Sequence, residues 1–160
     1  MSYIRKYRNR WRAEVRYNKR YVSKTFLTKG DASKWAKETE SKLEKEQFED
    51  YRDSLHLTLG NLITRYRDEI TPKKKGAISE KYKLNFVLRH PISRTKILRL
   101  SARKIIEFKN ELKKTRKPAT VNKYIHYIHT IWETARLNWG IILPPNNPTA
   151  LIKKEKVMTK

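Results

Sequence analysis

Residues 118–140, PATVNKYIHYIHTIWETARLNWG, place Val121, Tyr124, Ile125, Ile128, Ile131, Trp132, Ala135 and Trp139 at three- and four-residue spacing. That is the repeat of one face of an α-helix. Pro118 suits a first helical turn, where its missing N–H leaves nothing unpaired, and Gly140 suits the position just past the end. So long an apolar stripe needs partners, and the preceding sequence supplies them. Thr58 can cap a helix that carries Leu59, Leu62, Ile63, Tyr66 and Ile70 on one side. Pro72-Lys73-Lys74-Lys75-Gly76 interrupts it, and residues 79–89 then read as a shorter helix with Leu84, Val87 and Leu88 inward. His90-Pro91 ends that helix, because a residue before proline is pushed out of the helical region. Ser101 caps a further helix with Ile105, Ile106, Phe108 and Leu112 inward. Four helices joined by short connections predict an all-α bundle over residues 54–153.

Upstream the period is two. Trp11, Ala13, Val15 and Tyr17 point one way and Arg10, Arg12, Glu14 and Arg16 the other, which is a strand pattern. Asn18-Lys19 reads as a tight turn and residues 20–26 as the returning strand, with residues 3–7 a short first strand. Thr28 followed three residues later by Asp31 resembles a helix cap, and Ala32, Trp35, Ala36, Thr39 and Leu43 return to helical spacing. Residues 1–50 therefore predict a small antiparallel sheet covered by one helix over about 30–48, and the acidic stretch 44–53 predicts a linker. The fold class expected is mainly α, a small N-terminal sheet plus helix followed by a four-helix unit.

The charge says what such a chain would meet. Thirty-nine Lys and Arg face sixteen Asp and Glu, a formal net charge of +23 on 160 residues. Residues 1–29 carry ten bases and one acid, residues 30–53 five bases and eight acids, and residues 54–160 twenty-four bases and seven acids. Two basic blocks separated by an acidic one predict two modules that bind a polyanion, since neutralising phosphates releases condensed counterions. Hydrophobic residues at 38% and aromatics at 11% are too many for a disordered polycation. With no cysteine there is no disulfide framework or thiolate metal site, and no apolar run has the length of a membrane span or a signal peptide. A soluble cytoplasmic protein, associated with the nucleoid, is expected.

Several motifs carry a resemblance. Residues 100–108, LSARKIIEF, then Pro118-Ala119-Thr120-Val121-Asn122-Lys123, Ala135-Arg136, Trp139-Gly140 and Asn147-Pro148 resemble the core-binding domain of tyrosine recombinases, the phage-type integrases. Thr58-Leu59-Gly60, the Pro72 to Gly76 break and Leu88-Arg89-His90-Pro91 fit the first half of that domain. Trp11-Arg12-Ala13-Glu14-Val15, Ser23-Lys24-Thr25-Phe26 and Ala32-Ser33-Lys34-Trp35-Ala36 are similar to the arm-binding domain at the N-terminus of many integrases. The resemblance implies a SAM-like core-binding bundle at 54–153, an arm-type DNA-binding domain at 1–50, and residues 154–160 as a tail leading toward a catalytic domain. In that family a tyrosine nucleophile, an Arg and a His-x-x-Arg pair lie beyond the Asn-Pro turn. Here twelve residues follow Pro148, and none of His56, His90, His126 and His129 is followed three residues later by Arg. The expectation is the DNA-holding portion of an integrase, of phage or mobile-element origin, and no enzyme activity from this chain alone.

Candidate contacts follow from the charge pattern. In the arm-type domain they are Arg5, Lys6, Arg8, Arg10, Arg12, Arg16, Lys19, Arg20 and Lys24, since Arg can meet guanine or phosphate with two parallel hydrogen bonds. In the core-binding domain Lys73, Lys74 and Lys75 form a phosphate-grade cluster, and Lys81, Asn85 and Arg89 share a helix face at i, i+4 and i+8. Thr120, Asn122, Lys123, His126 and Tyr127 lie off the apolar stripe near a helix N-terminus, which favours phosphate, and Asn can read adenine. His126, His129 and Glu133 are a poor metal set, and no cofactor, small-molecule substrate or membrane is expected. The partner expected is double-stranded DNA, with self-association on it as an option. Two alternatives stay open: a stand-alone regulator that competes for attachment sites, and a basic RNA-binding protein.

Overall fold

The computed structural model describes residues 1–45 and 51–158. The chain divides into two compact units, Met1–Glu49 and Asp50–Lys160. In the first, β1 (Ser2–Tyr7), β2 (Arg10–Tyr17) and β3 (Arg20–Phe26) form an antiparallel sheet in the order β1-β2-β3. The turns are tight because the residues that make them accept left-handed backbone: Arg8 at φ 55°, and Asn18 and Lys19 at 43° and 65°. Two consecutive positive φ angles match the right-handed twist of the strands they join. Helix α1 (Lys29–Glu44) covers one face of the sheet. Ala13 and Val15 are fully buried against Ala32, Ala36 and Leu43, with Ile4, Trp11, Tyr17, Phe26 and Trp35 around them. Alanine on both sides lets helix and sheet approach closely. Thr28 caps α1, its hydroxyl accepting from the Asp31 N–H at 3.2 Å and donating to the Asp31 carboxylate at 2.7 Å. Residues 46–50 of the expected helix extension and linker lie outside the described residues.

The second unit contains α2 (Leu59–Glu69), α3 (Ala77–Arg89), α4 (Ala102–Lys113) and α5 (Pro118–Leu137), with short 3-10 turns between α2 and α3 and between α3 and α4. Thr58 and Asn61 close a reciprocal capping box: the Asn61 N–H reaches the Thr58 hydroxyl at 3.1 Å, and the Thr58 N–H reaches Asn61 Oδ1 at 2.8 Å. The α5 stripe is the centre of the core, with Val121, Ile128, Ile131, Trp132 and Ala135 buried against Leu62, Ile63, Leu84, Ile105 and Phe108. Helix α3 begins at Ala77, two residues before the expected start, and α5 stops at Leu137. Gly140, at φ 63°, then turns the chain so that the Ile141 N–H returns to the Ala135 carbonyl at 3.0 Å. Ile106 was expected inward and is 44% exposed. It lies about 100° around α4 from Ile105, outside the arc that Ile105, Phe108 and Leu112 bury.

Polar ties hold the chain that follows α5. Asn147 is buried and fully bonded: its amide nitrogen reaches the His129 carbonyl at 3.3 Å and Glu133 Oε1 at 3.0 Å, while its oxygen accepts from the Thr149 N–H and hydroxyl at 3.0 and 2.7 Å. Since the Thr149 hydroxyl proton goes to Asn147, His129 Nδ1 must donate its own proton to Thr149 Oγ1, at 2.8 Å. Further on, the backbone of Glu155 pairs with the Asn122 amide at 2.7 and 2.9 Å, and its carboxylate meets Lys109 and Lys113 at 3.1 Å each. Lys109 also donates to the Lys153 carbonyl. The chain is thus tied to α4 and α5 at residues 153–155, where the expected tail, residues 154–160, begins. Among the described residues, no helix is long and apolar enough to cross a membrane.

Two glycines at equivalent helix positions should respond oppositely to alanine. A Cβ on Gly60, in the first turn of α2, would lie 2.9 Å from the Ser93 carbonyl oxygen, whereas one on Gly30, in the first turn of α1, meets nothing within 4 Å. Gly60→Ala should cost about 1–3 kcal/mol in urea unfolding, because backbone must move. Gly30→Ala should add roughly 0.5–1 kcal/mol by helix propensity.

Candidate nucleic-acid interface

Strand pairing sorts the basic residues of the first unit by face. Directly opposed residues share a face, and the register opposes Tyr3, Glu14 and Ser23, then Arg5, Arg12 and Thr25, with Tyr7 opposite Arg10 and Arg16 opposite Tyr21. These form the face away from α1. Arg5, Arg10, Arg12 and Arg16 therefore stand together on one open surface. Lys6, Arg20 and Lys24 fall on the α1 side of the sheet, exposed at its rim, while Arg8 and Lys19 lie in the turns. Between the arginines stand exposed tyrosines: Tyr3 at 63%, Tyr7 at 44% and Tyr21 at 39%. The Arg8 and Arg12 guanidinium groups approach the Tyr7 ring at 5.7 and 5.8 Å, and Arg16 approaches Tyr21 at 5.3 Å. Sequence reading assigned these tyrosines no site role, although the phase of β1 that puts Arg5 outward puts Tyr3 and Tyr7 there too.

In the second unit two separately read clusters meet. Lys74, Lys123 and His126 line one pocket of about 240 Å³ with Tyr66, Ser79, Glu80, Tyr127 and Thr130. Lys73 and Lys75 flank Lys74 as exposed side chains. Lys74 is anchored, its ammonium donating to the Tyr66 hydroxyl at 2.7 Å and to both Glu80 oxygens at 3.0 Å. Burial works against its charge, but the bonds to Tyr66 and Glu80 hold its pKa above the usual lysine value. Glu80 is completed by the Thr71 hydroxyl at 2.7 Å. On α3, Lys81 and Arg89 are exposed, and Asn85 accepts from Arg67 Nη1 at 2.9 Å.

Two expected contacts are placed differently from the sequence reading. Tyr127 is only 8% exposed and belongs to the core; burial first, and then the Glu80 charge, raises its hydroxyl pKa. A helix wider in apolar coverage than the Val121 stripe accounts for this, since α5 is packed on more than one side. Asn122 has both ends of its amide bonded to the Glu155 backbone, so it is not free to read a base in this arrangement. Nothing in the local sequence marks that pairing, which joins residues 33 apart. Thr120 is half-buried in the first turn of α5, and Lys123 and His126 are exposed. Among the described residues no group of His, Asp and Glu could hold a metal ion.

The chain is 30% identical over 156 residues, 98% of its length, to a Haemophilus influenzae protein provisionally named integrase/recombinase. It is 33% identical over 109 residues, 68% of its length, to a second protein of that organism with the same name. Along nearly its whole length the chain is similar to proteins named integrase/recombinase. It spans 41% and 35% of the length of these two integrase/recombinases. No family model matches the chain, and no solved structure matches it.

The Glu155 tie has a defined pH range. Hydrogen bonds from Lys109 and then Lys113 hold the Glu155 pKa below the ordinary 4.5. A depressed acid contributes its stabilisation above the unfolded pKa and loses it as pH falls through the folded one. The Glu155 amide should therefore be protected from hydrogen exchange at neutral pH and lose protection as pH drops below about 4.5. Asn122→Ala should remove that protection at neutral pH and leave the α5 amides protected.

Proposed function

We propose that this chain is the DNA-holding portion of a site-specific recombinase of the tyrosine type. Residues 1–50 grip arm-type DNA through the open face of the sheet, and residues 54–153 grip the core site through the Lys73 to Lys75 loop and the Lys123 and His126 side of α5. Residues 154–160 lead toward the part of the enzyme that cuts. The observation that carries this reading is the outward sheet face, where Arg5, Arg10, Arg12 and Arg16 stand among exposed tyrosines while the other face closes the core. A rigid two-dimensional array of guanidinium groups fits a groove edge and its flanking phosphates. The similarity to proteins named integrase/recombinase supports a role in recombination. Strand transfer is not a task of these residues: a positioned tyrosine needs cations around the scissile phosphate, and removing one such donor typically costs about 10²–10³ in rate.

Binding should be dominated by phosphate contacts. If six to ten phosphates are neutralised, affinity for duplex DNA should fall by roughly 10³–10⁵ between about 50 and 200 mM salt. A flat log–log plot in a fluorescence titration would exclude the interface. Lys123→Ala should weaken binding to every sequence alike and reduce the salt slope by about one contact. On a nicked suicide substrate the chain should trap no covalent complex; a trapped complex would make one of its tyrosines a nucleophile.

A further inference from the structure

The four arginines of the open sheet face are not equivalent. Arg10 has no side-chain hydrogen bond or ion pair among the described residues, and Arg16 has only the Tyr21 ring beside it. Arg12 is held on three sides. Its Nε lies 3.1 Å from Glu14 Oε1, its Nη2 donates to Ser23 Oγ on β3 at 3.1 Å, and the Tyr7 ring of β1 stands 5.8 Å from its Cζ. Nη1 has no hydrogen bond among the described residues. The guanidinium is thus fixed along one edge with its far end open. Glu14 accepts from Arg5 Nη2 at 3.0 Å through the same oxygen, and its side chain is only 14% exposed although it stands on the open face.

Glu14 is the one acid among ten bases in residues 1–29. On a surface that served only to attract phosphate, a carboxylate at the centre would oppose binding and add nothing. A phosphate can be met by a mobile cation from many directions as well as by a bidentate fork, whereas a base edge is read only by donors held in one geometry. The open end of a held guanidinium matches the O6 and N7 acceptors of guanine in the major groove.

We infer that Arg12 reads a guanine and that Glu14 is the positioning residue that makes this reading selective, at the cost of overall affinity. The inference rests on the proposal that the sheet face binds DNA. Glu14 orients Arg12 and Arg5 together, so that their guanidinium groups reach the groove already aligned and little side-chain freedom is lost on contact.

The test uses the full chain. Selection from a randomised duplex pool first defines the preferred sequence of the wild type. Binding to that duplex and to one with the guanines replaced is then measured for wild type, Glu14→Gln and Arg12→Lys. Glu14→Gln should tighten binding to the replaced duplex, because a negative charge is gone, yet lower discrimination between the two about tenfold. Arg12→Lys, which keeps the charge and loses the planar fork, should lose the same discrimination, and the double variant should lose little more than either single one. If Glu14→Gln tightens both duplexes by one factor, Glu14 only tunes charge and the inference is overturned. Discrimination retained by Arg12→Lys overturns it as well, and does so even should Glu14→Gln fail to fold. Failure of the wild type to bind any duplex is a different result: it removes the DNA-binding proposal itself.

Discussion

Repulsion among 39 bases is the constraint that every element of this chain answers to. Two cores have to close while that charge stays at the surface, and the few acids are placed where they do most to allow it. Glu14 joins Arg5 and Arg12 on the sheet, Glu80 holds Lys74 where the chain turns into α3, and Glu155 holds Lys109 and Lys113 beside α5. Each of these carboxylates orients cations as well as offsetting them. A cation with a fixed position can discriminate among ligands, and one that is free in solvent mainly attracts them. On the open sheet face, and among the described residues, Arg10 and Arg16 remain without an acid beside the paired Arg5 and Arg12.

The cores themselves are small and built differently. The sheet unit relies on short side chains, Ala13 against Ala32 and Ala36, so that one helix can lie close to three strands. The helical unit relies on large ones, Trp132 and Phe108 among the biggest fully buried. Its C-terminal stretch is fastened through polar groups instead. Asn147 uses its whole amide, and Asn122 uses both ends of its own, to hold extended chain on the helices. Buried amides of this kind specify one arrangement because a shifted register would leave them unpaired.

Much of this could be read from residue spacing. The alternation in residues 10–17 is a property of adjacent residues, and so are the Asn18-Lys19 turn and the caps at Thr28, Thr58 and Ser101. The α5 stripe is equally local, repeating every three or four residues. Where local patterns misled, the reason was packing that the local pattern does not carry. Ile106 is as apolar as Ile105, and Tyr127 has a polar tip on a large apolar ring. Which side of a helix meets a neighbour depends on how many neighbours it has.

By itself, the sequence determined the periods, the caps, the turns, the excess of positive charge and its division into two blocks. Periodicity and capping act within a few residues, and net charge is a sum that needs no coordinates. Only the tertiary structure decided which bases share a surface, because strand register puts Arg5 and Arg12 side by side and turns Lys6 and Lys24 to the other face. It alone brought Glu155 to Asn122, and Lys74 to the pocket it shares with Lys123. Those meetings join residues far apart along the chain, and no local propensity encodes a contact whose partner is chosen by packing.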